Sequence, residues 1–292
     1  MQELFSGVEG TTLENALYVV ATPIGNMEDI TLRMLRVLRS CDHIFCEDTR
    51  ISYRLLKFCG LAPRNLGIYN DNSNEDQRTR IVDILKKGAS VAIICDAGTP
   101  GISDPGFRLK QRCRENGLKI IPVPGPSACI AAVSASCIGS DRFFFRGFLP
   151  PSLEPRKQEL EKLLARDESV VCYESPHRLL STLEIIAELD GERMICVARE
   201  LTKIFEDIRT EKASEMLKYY RTRFADGRVK GEIVLLLEKS TRPEKGLDLN
   251  DMDVILRISL KYLSLRDSAR FLSEAFHLGR KEIYDRLLIL GK

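Results

Sequence analysis

Three loops that combine glycine and proline each follow a run of apolar residues. Residues 22–26 (TPIGN) follow ALYVVA, residues 96–106 (DAGTPGISDPG) follow SVAIIC, and residues 124–128 (PGPSA) follow KIIPV. Glycine lets the backbone approach a ligand closely, and proline fixes the shape of a loop. In open α/β sheets, ligands bind outside the carboxyl ends of the strands. Ordinary turns also need glycine and proline, but three such loops at one sheet edge predict a ligand-binding cleft.

The polar groups on these loops indicate the kind of ligand. Asp96 comes directly after a buried strand, where a carboxylate is well placed to bind an amine or a hydroxyl. The chain has neither the G-x-G-x-x-G pattern of dinucleotide-binding folds nor the G-x-x-x-x-G-K-[ST] pattern of NTPases. The sequence therefore favours a zwitterionic or nucleoside-like ligand over a bare polyphosphate.

Four segments of mixed charge lie at the ends of predicted strands. They are residues 47–50 (EDTR), 173–178 (YESPHR), 199–203 (RELTK) and 230–232 (KGE). Each segment by itself is more typical of solvated ion pairs. Together they predict a polar cleft that faces an anionic or hydroxylated substrate.

The elements that must position these loops alternate along the first half of the chain. Apolar runs predict strands at residues 16–21, 43–46, 90–95 and 119–123. Segments of helical length separate them, which is typical of a mainly parallel sheet with helices on both faces. In the second half, the predicted strands of a mixed sheet are residues 143–149, 169–173, 194–198 and 232–238. We expect a hinge between the halves at residues 124–140.

The pattern predicts an α/β protein of two α/β domains and a small C-terminal helical segment. The domains are residues 14–125 and 126–240, and the helical segment is 251–292, after a polar linker at 241–250. Three helical patterns in the last segment, with Leu278-Gly279 as a tight turn, resemble a helix-turn-helix unit. A small helical appendage of the body is an equally good interpretation.

Composition excludes several classes of protein. With 292 residues, 44% hydrophobic and 29% charged, the chain is an ordinary globular protein and not a disordered one. No apolar run approaches the ~20 residues of a membrane-spanning helix, and the N-terminus does not resemble a secretory signal. A net charge of +2 is small for a strongly basic nucleic-acid binder. Nine scattered cysteines without a C-x-x-C pair predict reduced, buried thiols in a cytoplasmic protein and no metal site.

Eight longer motifs include these segments and are distributed along the chain from Leu17 to Glu238. They are LYVVATPIGNMEDITLR, EDTR, DAGTPGISDPG, VPGPSA, SDRFFFRGFLP, YESPHRLL, ARELTK and KGEIVLLLE. In this order they resemble the tetrapyrrole methylase family, in particular its branch of RNA 2′-O-methyltransferases. The helical tail is similar to the C-terminal segment of that branch.

The resemblance implies two domains with a cofactor cleft between them, a homodimer, and S-adenosylmethionine as the methyl donor. It also implies methyl transfer to the ribose 2′-oxygen of a cytidine in the 16S rRNA of the small ribosomal subunit. Carried over by position, the residues expected to bind the methyl donor are Pro23, Ile24, Asp96, Gly98, Thr99, Pro100, Gly101, Ser127, Ala128, Tyr173, Ala198 and Gly231.

A ribose hydroxyl is a weak nucleophile, so a positioned base is expected beside it. The candidates for this base are Glu47, Glu174 and Glu200. The lysines that could orient the base or a phosphate are Lys203 and Lys230. The candidate phosphate contacts on the RNA are Arg50, Arg178 and Arg199, because a guanidinium matches phosphate oxygens.

One stretch departs from the family pattern. The family usually carries H-x-H-N-E after its second strand–helix unit, whereas residues 69–75 read YNDNSNE, with Asn70 and Asn72 in place of histidine. Asparagine does not act as a base at neutral pH. Either a histidine there is not essential to the chemistry, or this protein performs the chemistry differently.

Two other functions compete with this interpretation. A small-molecule methyltransferase of the same fold would act on a tetrapyrrole-like ring, and EDTR, YESPHR and ARELTK favour the RNA branch by resemblance alone. A ligand-sensing regulator with a DNA-binding tail would need a basic recognition helix, but residues 280–290 carry an excess of one positive charge. The phenylalanines of residues 143–148 could stack on RNA bases. Strand alternation places Phe144 on the opposite face from Phe143 and Phe145, so at least part of the run is core, and the core is the favoured interpretation.

Overall fold

The computed structural model describes residues 12–62, 65–70, 73–139, 141–225, 227–240, 249–276 and 279–290. The chain divides after Ser240 into two compact units. The larger unit contains two five-stranded sheets, and the smaller one consists of helices. Most of the predicted linker, residues 241–248, lies outside the described part of the chain.

The first sheet is parallel throughout, as its alternating strands and helices predict. Its strands are β1 (Leu17–Val20), β2 (His43–Cys46), β3 (Leu66–Ile68), β4 (Val91–Ile94) and β5 (Ile120–Val123). They lie in the order β3-β2-β4-β1-β5. The surrounding helices are α1 (Leu32–Ser40), α2 (Thr49–Phe58), α3 (Glu75–Lys86) and α4 (Phe107–Glu115).

Both faces of this sheet are buried, because its side chains alternate between two helical layers. Tyr18 and Val20 pack with residues of α1 and α2 on one face, whereas Leu17 and Val19 pack with residues of α3 and α4 on the other. Side-chain caps from Thr31, Asp48 and Asn74 fix where three of these helices begin. The Thr31 hydroxyl accepts a hydrogen bond from the amide of Met34 at 3.0 Å, at the start of α1.

The cap at the start of α3 lies in the stretch that departs from the family pattern. Asn74 and Gln77 form a reciprocal capping box, each side chain accepting a hydrogen bond from the other's amide at 3.0 Å. The amide of Asn70 donates to the Ser73 hydroxyl at 2.9 Å. Asn72 lies outside the described residues. This stretch therefore builds the turn that starts α3.

The second sheet is mixed. Its strands are β6 (Phe143–Phe148), β7 (Ser169–Glu174), β8 (Met194–Arg199), β9 (Asp207–Lys212) and β10 (Ile233–Leu237). They lie in the order β6-β7-β10-β8-β9, with β6 parallel to β7 and all other neighbours antiparallel. The fully buried strand β10 lies in the centre. The helices of this half are α5 (Ala128–Ala135), α6 (Leu153–Leu164), α7 (Leu179–Asp190) and α8 (Ala213–Arg223).

Two features of this half correct the sequence interpretation. The stretch expected to be a hinge contains helix α5, whose Cys129 and Ala132 pack in a buried cluster with residues of β7, β8 and β10. Strand β9 was not predicted, because its sequence DIRTEK has little apolar character. It forms at the sheet edge, where pairing with β8 supplies its hydrogen bonds.

The smaller unit contains the three helices predicted for the tail. They are α9 (Leu249–Tyr262), α10 (Leu265–Phe276) and α11 (Arg280–Leu290). Their shared core includes Leu256, Leu272 and Leu287. The predicted turn falls partly outside the described residues, because Leu278 is not among them. Across the described residues of both units, no helix combines the length and apolar character needed to cross a membrane.

Candidate active site

A cavity of about 500 Å³ lies between the two sheets of the larger unit. The loops after β1, β2, β4 and β5 line it from the first sheet, and the ends of β6, β7, β8 and β10 line it from the second. A smaller cavity of about 180 Å³ adjoins it. Ile24, Asp96, Ala97 and Glu232 border both cavities.

Hydrogen bonds join the three glycine- and proline-containing loops. Thr22 and Gly98 form a backbone bridge, with N–O distances of 2.8 and 3.1 Å. The hydroxyl of Thr99 donates to the carbonyl of Pro126 at 3.1 Å. Gly98 has a φ of +83°, which favours glycine. The loops therefore form one wall of the cavity, because β1 lies between β4 and β5 in the sheet.

Asp96 lies on this wall with its carboxylate partly buried. Its Oδ1 accepts a hydrogen bond from the amide of Asp48 at 3.1 Å. Burial raises the pKa of Asp96, and the neighbouring Asp48 carboxylate adds to this effect, while the Asp48 amide and Arg50 oppose it. Since a charged carboxylate is disfavoured by burial, a cationic or hydroxyl-bearing ligand at Asp96 would restore favourable contacts.

Tyr173 forms part of the opposite wall, on β7. Its ring packs edge-to-face against Phe145 and Phe148, with centroid distances of 5.1 and 5.4 Å. Burial raises the pKa of Tyr173 to about 12. The phenol therefore stays neutral and contributes an apolar face with one polar group.

Phe148 lines the cavity, which sequence reasoning missed. Strict alternation would place Phe145 and Phe148 on opposite faces of the strand. A β-bulge between Phe145 and Gly147, where Gly147 has a φ of +76°, turns both rings toward Tyr173. The glycine inside an aromatic run was the available signal for this bulge. Phe144 packs toward the core of the second sheet instead. The core interpretation of this run is therefore correct only in part, because Phe143 and Phe148 are exposed.

The structure brings most of the predicted methyl-donor residues together. Those that line the larger cavity are Ile24, Asp96, Gly98, Thr99, Ser127, Ala128, Tyr173, Ala198 and Gly231. Pro23 lines the smaller cavity. Pro100 and Gly101 belong to the same loop but line neither of these two cavities. The apolar side chains of Leu201 and Val234 complete the wall and were not predicted.

The predicted base candidates occupy different environments. Glu47 lines the larger cavity and is half-buried. Glu174 also borders it, but its side chain is fully buried and accepts hydrogen bonds from Thr182 at 2.6 Å and Arg178 at 2.8 Å. Glu200 lines neither of the two cavities. Glu174 is therefore held as a structural anion.

Lys203 connects two carboxylates beside the smaller cavity. Its Nζ donates to Glu200 Oε1 at 2.8 Å and to Glu232 Oε2 at 3.0 Å. Glu200 Oε1 also accepts a hydrogen bond from the amide of Glu232 at 3.0 Å. Lys230, the other predicted lysine, is exposed and lines neither of these cavities.

The three predicted RNA-contacting arginines also differ. Arg50 is 86% exposed and pairs with Asp48 at 2.6 Å beside the cavity. Arg178 uses Nε and Nη2 to bind Glu174. Arg199 is buried, and it donates to the carbonyls of Lys230 and Phe205. We therefore withdraw Arg199 as a phosphate contact, because its guanidinium holds backbone inside the protein.

The fold and this cavity define a class of enzyme. A family model described as Tetrapyrrole (Corrin/Porphyrin) Methylases matches residues 16–217. The chain belongs to the tetrapyrrole methylase family, and it is a methyltransferase.

Individual relatives cover almost the entire chain. The chain is 40% identical to Ribosomal RNA small subunit methyltransferase I of Haemophilus influenzae, over 94% of this chain and 96% of that protein. It is 37% identical to the protein of the same name from Escherichia coli O157:H7, over 93% of this chain and 94% of that protein.

Solved structures support the fold. Diphthine synthase matches with a TM-score of 0.57 at 15% identity, over 77% of this chain and 90% of that chain. Uroporphyrin-III-C-methyltransferase from Thermus thermophilus matches with a TM-score of 0.53 at 19% identity, over 77% of this chain and 94% of that chain. At these identities the similarity concerns the fold alone.

Proposed function

We propose that this protein transfers a methyl group from S-adenosylmethionine to the ribose 2′-hydroxyl of a cytidine in 16S rRNA of the small ribosomal subunit. The similarity to Ribosomal RNA small subunit methyltransferase I of Haemophilus influenzae, 40% over 94% of this chain, carries the proposal. The eight motifs occur along the chain in the order typical of this branch, and residues from several of them line the larger cavity, which supports the same assignment. A homodimer and a cytoplasmic location belong to the proposal, as do domain limits at residues 14–125, 126–240 and 251–292.

The residues around the larger cavity fit this methyl donor. A volume of about 500 Å³ lies within the usual ~300–1,000 Å³ range of small-molecule sites. The partly buried Asp96 carboxylate suits the hydroxyls or the amine of the donor, while Ile24, Tyr173 and Val234 offer apolar surface. When bound, S-adenosylmethionine supplies a methyl group on a positively charged sulfur.

The protein's own contribution is mainly binding and orientation. The joined loops fix the donor side, and the charged segments after β7 and β8 border the side from which RNA would enter. Arg50 remains the proposed phosphate contact, because it is exposed beside the cavity. Its ion pair with Asp48 lies at the surface, where such a pair costs little to exchange for a phosphate.

Mapping the methylated nucleotides of 16S rRNA tests the function directly. Cells that lack this protein should lose one 2′-O-methylcytidine, and the purified protein should restore it on small subunits from those cells. Methyl transfer to porphyrinoid substrates is measured in parallel. Methylation of a porphyrinoid without methylation of the subunit would overturn the proposal in favour of the small-molecule alternative.

Asp96→Ala tests the donor site separately from the substrate. A hydrogen bond to a charged group contributes about 1.5–3 kcal/mol, so we expect S-adenosylmethionine affinity to fall about 10- to 100-fold. Asp83→Ala on the exposed face of α3 is the matched control and should bind normally. Calorimetry measures both. Unchanged affinity of Asp96→Ala would remove this residue from the site.

A further inference from the structure

The carboxylates near the two cavities differ in their burial and in the hydrogen bonds that they already accept from the protein. Glu174 is buried and accepts hydrogen bonds from Ser175, Arg178 and Thr182. Glu200 lines neither of the two cavities and holds Lys203. Both act as structural anions, so neither suits the base that the proposed reaction needs.

Two carboxylates border both cavities, Asp96 and Glu232. Asp96 lies on the loop wall, and the amide of Asp48 binds its Oδ1. Glu232 directly precedes β10, and its side chain is 72% exposed. A large RNA substrate can reach an exposed side chain at the junction of the cavities far more readily than one on the inner wall. Accessibility therefore favours Glu232.

Lys203 fixes the position of the Glu232 carboxylate. Its Nζ lies 3.0 Å from Glu232 and 2.8 Å from Glu200. A Cβ atom at Gly25 would lie 2.5 Å from Lys203 Cγ, so the loop after β1 packs closely on the lysine stem. Burial disfavours the ammonium, but the hydrogen bonds to both glutamates outweigh this effect and raise the pKa of Lys203. A persistent cation orients a neighbouring carboxylate and does not itself take up a proton.

Backbone strain marks the same segment. Glu200 and Thr202, in the loop after β8, have φ values of +55° and +66°. Non-glycine residues persist in this region where the surrounding structure imposes it, which is common at functional sites. The Thr202 hydroxyl accepts a hydrogen bond from the amide of Asn26 at 3.0 Å, so the first half of the protein helps to hold this loop.

We propose that Glu232 is the general base of the methyl transfer and that Lys203, held by Glu200, positions its carboxylate. This inference rests on the proposed function. Glu232 takes the 2′-hydroxyl proton as the ribose oxygen forms a bond to the methyl carbon. The carbon–sulfur bond breaks, and its electron pair goes to sulfur, which becomes a neutral thioether. Glu232 then releases the proton to solvent.

The charged groups around Glu232 come from several segments. Lys203 and Glu200 belong to the loop after β8, and Glu47 and Asp96 face the larger cavity from the first sheet. Lys203 is the cation that binds the Glu232 carboxylate. Loss of the lysine side chain should therefore release this carboxylate from its position.

Glu232→Gln tests the base. A positioned base contributes ~10²–10⁴-fold, so we expect the single-turnover rate on small subunits to fall at least ~100-fold. The residual reaction would need hydroxide from solvent, so its rate should rise about tenfold per pH unit, whereas the wild-type rate stays nearly constant around neutral pH. Calorimetry should show unchanged S-adenosylmethionine binding. Glu232→Asp should recover part of the rate.

The matched control is Glu188→Gln. Glu188 also pairs with a lysine, Lys157, at 3.0 Å, and its side chain is 68% exposed, but it lies on α7 and lines neither of the two cavities. This variant should react at the wild-type rate. Glu47→Gln, which removes one of the other carboxylates that line the larger cavity, should keep a rate that is independent of pH.

Lys203→Met tests positioning. This variant should lower the single-turnover rate at saturating S-adenosylmethionine, and Lys203→Arg, which can still donate hydrogen bonds to both glutamates, should recover part of that rate. An unchanged rate in Lys203→Met would overturn the role of the lysine.

Wild-type rates in Glu232→Gln, or a pH-dependent rate in Glu47→Gln instead, would overturn Glu232 as the base. Loss of S-adenosylmethionine binding in Glu232→Gln would do so as well. Failure of the wild-type protein to methylate the subunit would contradict the proposed function, which is a different result.

Discussion

Gly231→Ala should lower the free energy of unfolding through two effects that can be measured separately, a backbone cost and a loss of hydrogen bonds. Gly231 has a φ of +99°, a conformation that residues with a Cβ atom rarely adopt. A Cβ atom there would lie 2.5 Å from Cγ and 2.6 Å from Cδ of Glu200. The Glu200 side chain would have to move, and its hydrogen bonds to Lys203 and to the Glu232 amide would break.

Gly88→Ala provides the matched control. Gly88 follows α3 with a φ of +91°, and a Cβ atom there would meet nothing within 4 Å. Its substitution isolates the backbone cost, about 1–2 kcal/mol. Gly231→Ala adds the loss of hydrogen bonds to a charged group, about 1.5–3 kcal/mol. We therefore expect Gly231→Ala to lower the free energy of unfolding by about 2 kcal/mol more than Gly88→Ala does.

Urea unfolding followed by circular dichroism measures both variants, provided that the slope with urea stays constant. Glu200→Ala completes the test, because it removes the side chain that the added methyl group would strike. In that background, Gly231→Ala should cost about as much as Gly88→Ala. Equal costs of the two glycine substitutions in the wild-type background, or strict additivity with Glu200→Ala, would refute the reasoning.

Arg178→Ala removes the guanidinium that binds the buried Glu174 carboxylate, so we expect destabilisation of about 1–3 kcal/mol in urea unfolding, and an unchanged midpoint would contradict this. In the native protein, a thiol reagent should modify the exposed Cys137, while the other eight cysteines are buried and should react only after unfolding, as counted by mass spectrometry. Hydrogen bonds from the Ser90 amide and hydroxyl lower the pKa of Asp42, so its stabilisation exists above its unfolded pKa and is lost as pH falls through the lower folded value. Asp42→Asn should therefore destabilise the protein at pH 7 and progressively less below about pH 4, whereas an effect independent of pH would contradict the assignment.

The sequence determined the buried strands and the loops that could bind a ligand, because both depend on local patterns, but it did not predict the short strand β3 or the edge strand β9. Apolar runs are long enough to identify the buried strands, and glycine and proline mark the loops that follow them. The ordered motifs identified the family, which the comparisons confirm. Helix α5 escaped this reasoning because its small apolar residues, ACIAAVSA, show no amphipathic period.

Tertiary structure decided which of the charged residues are available for chemistry. Arg199 and Glu232 have similar charged neighbours in the sequence, yet the first is buried against backbone carbonyls and the second is exposed where two cavities meet. Strand order brought the loops after β1, β4 and β5 into one wall, although Thr22 and Gly98 are 76 residues apart along the chain. Side-chain pattern encodes which face of an element is buried, but distant pairings and their hydrogen bonds arise only when the sheets assemble.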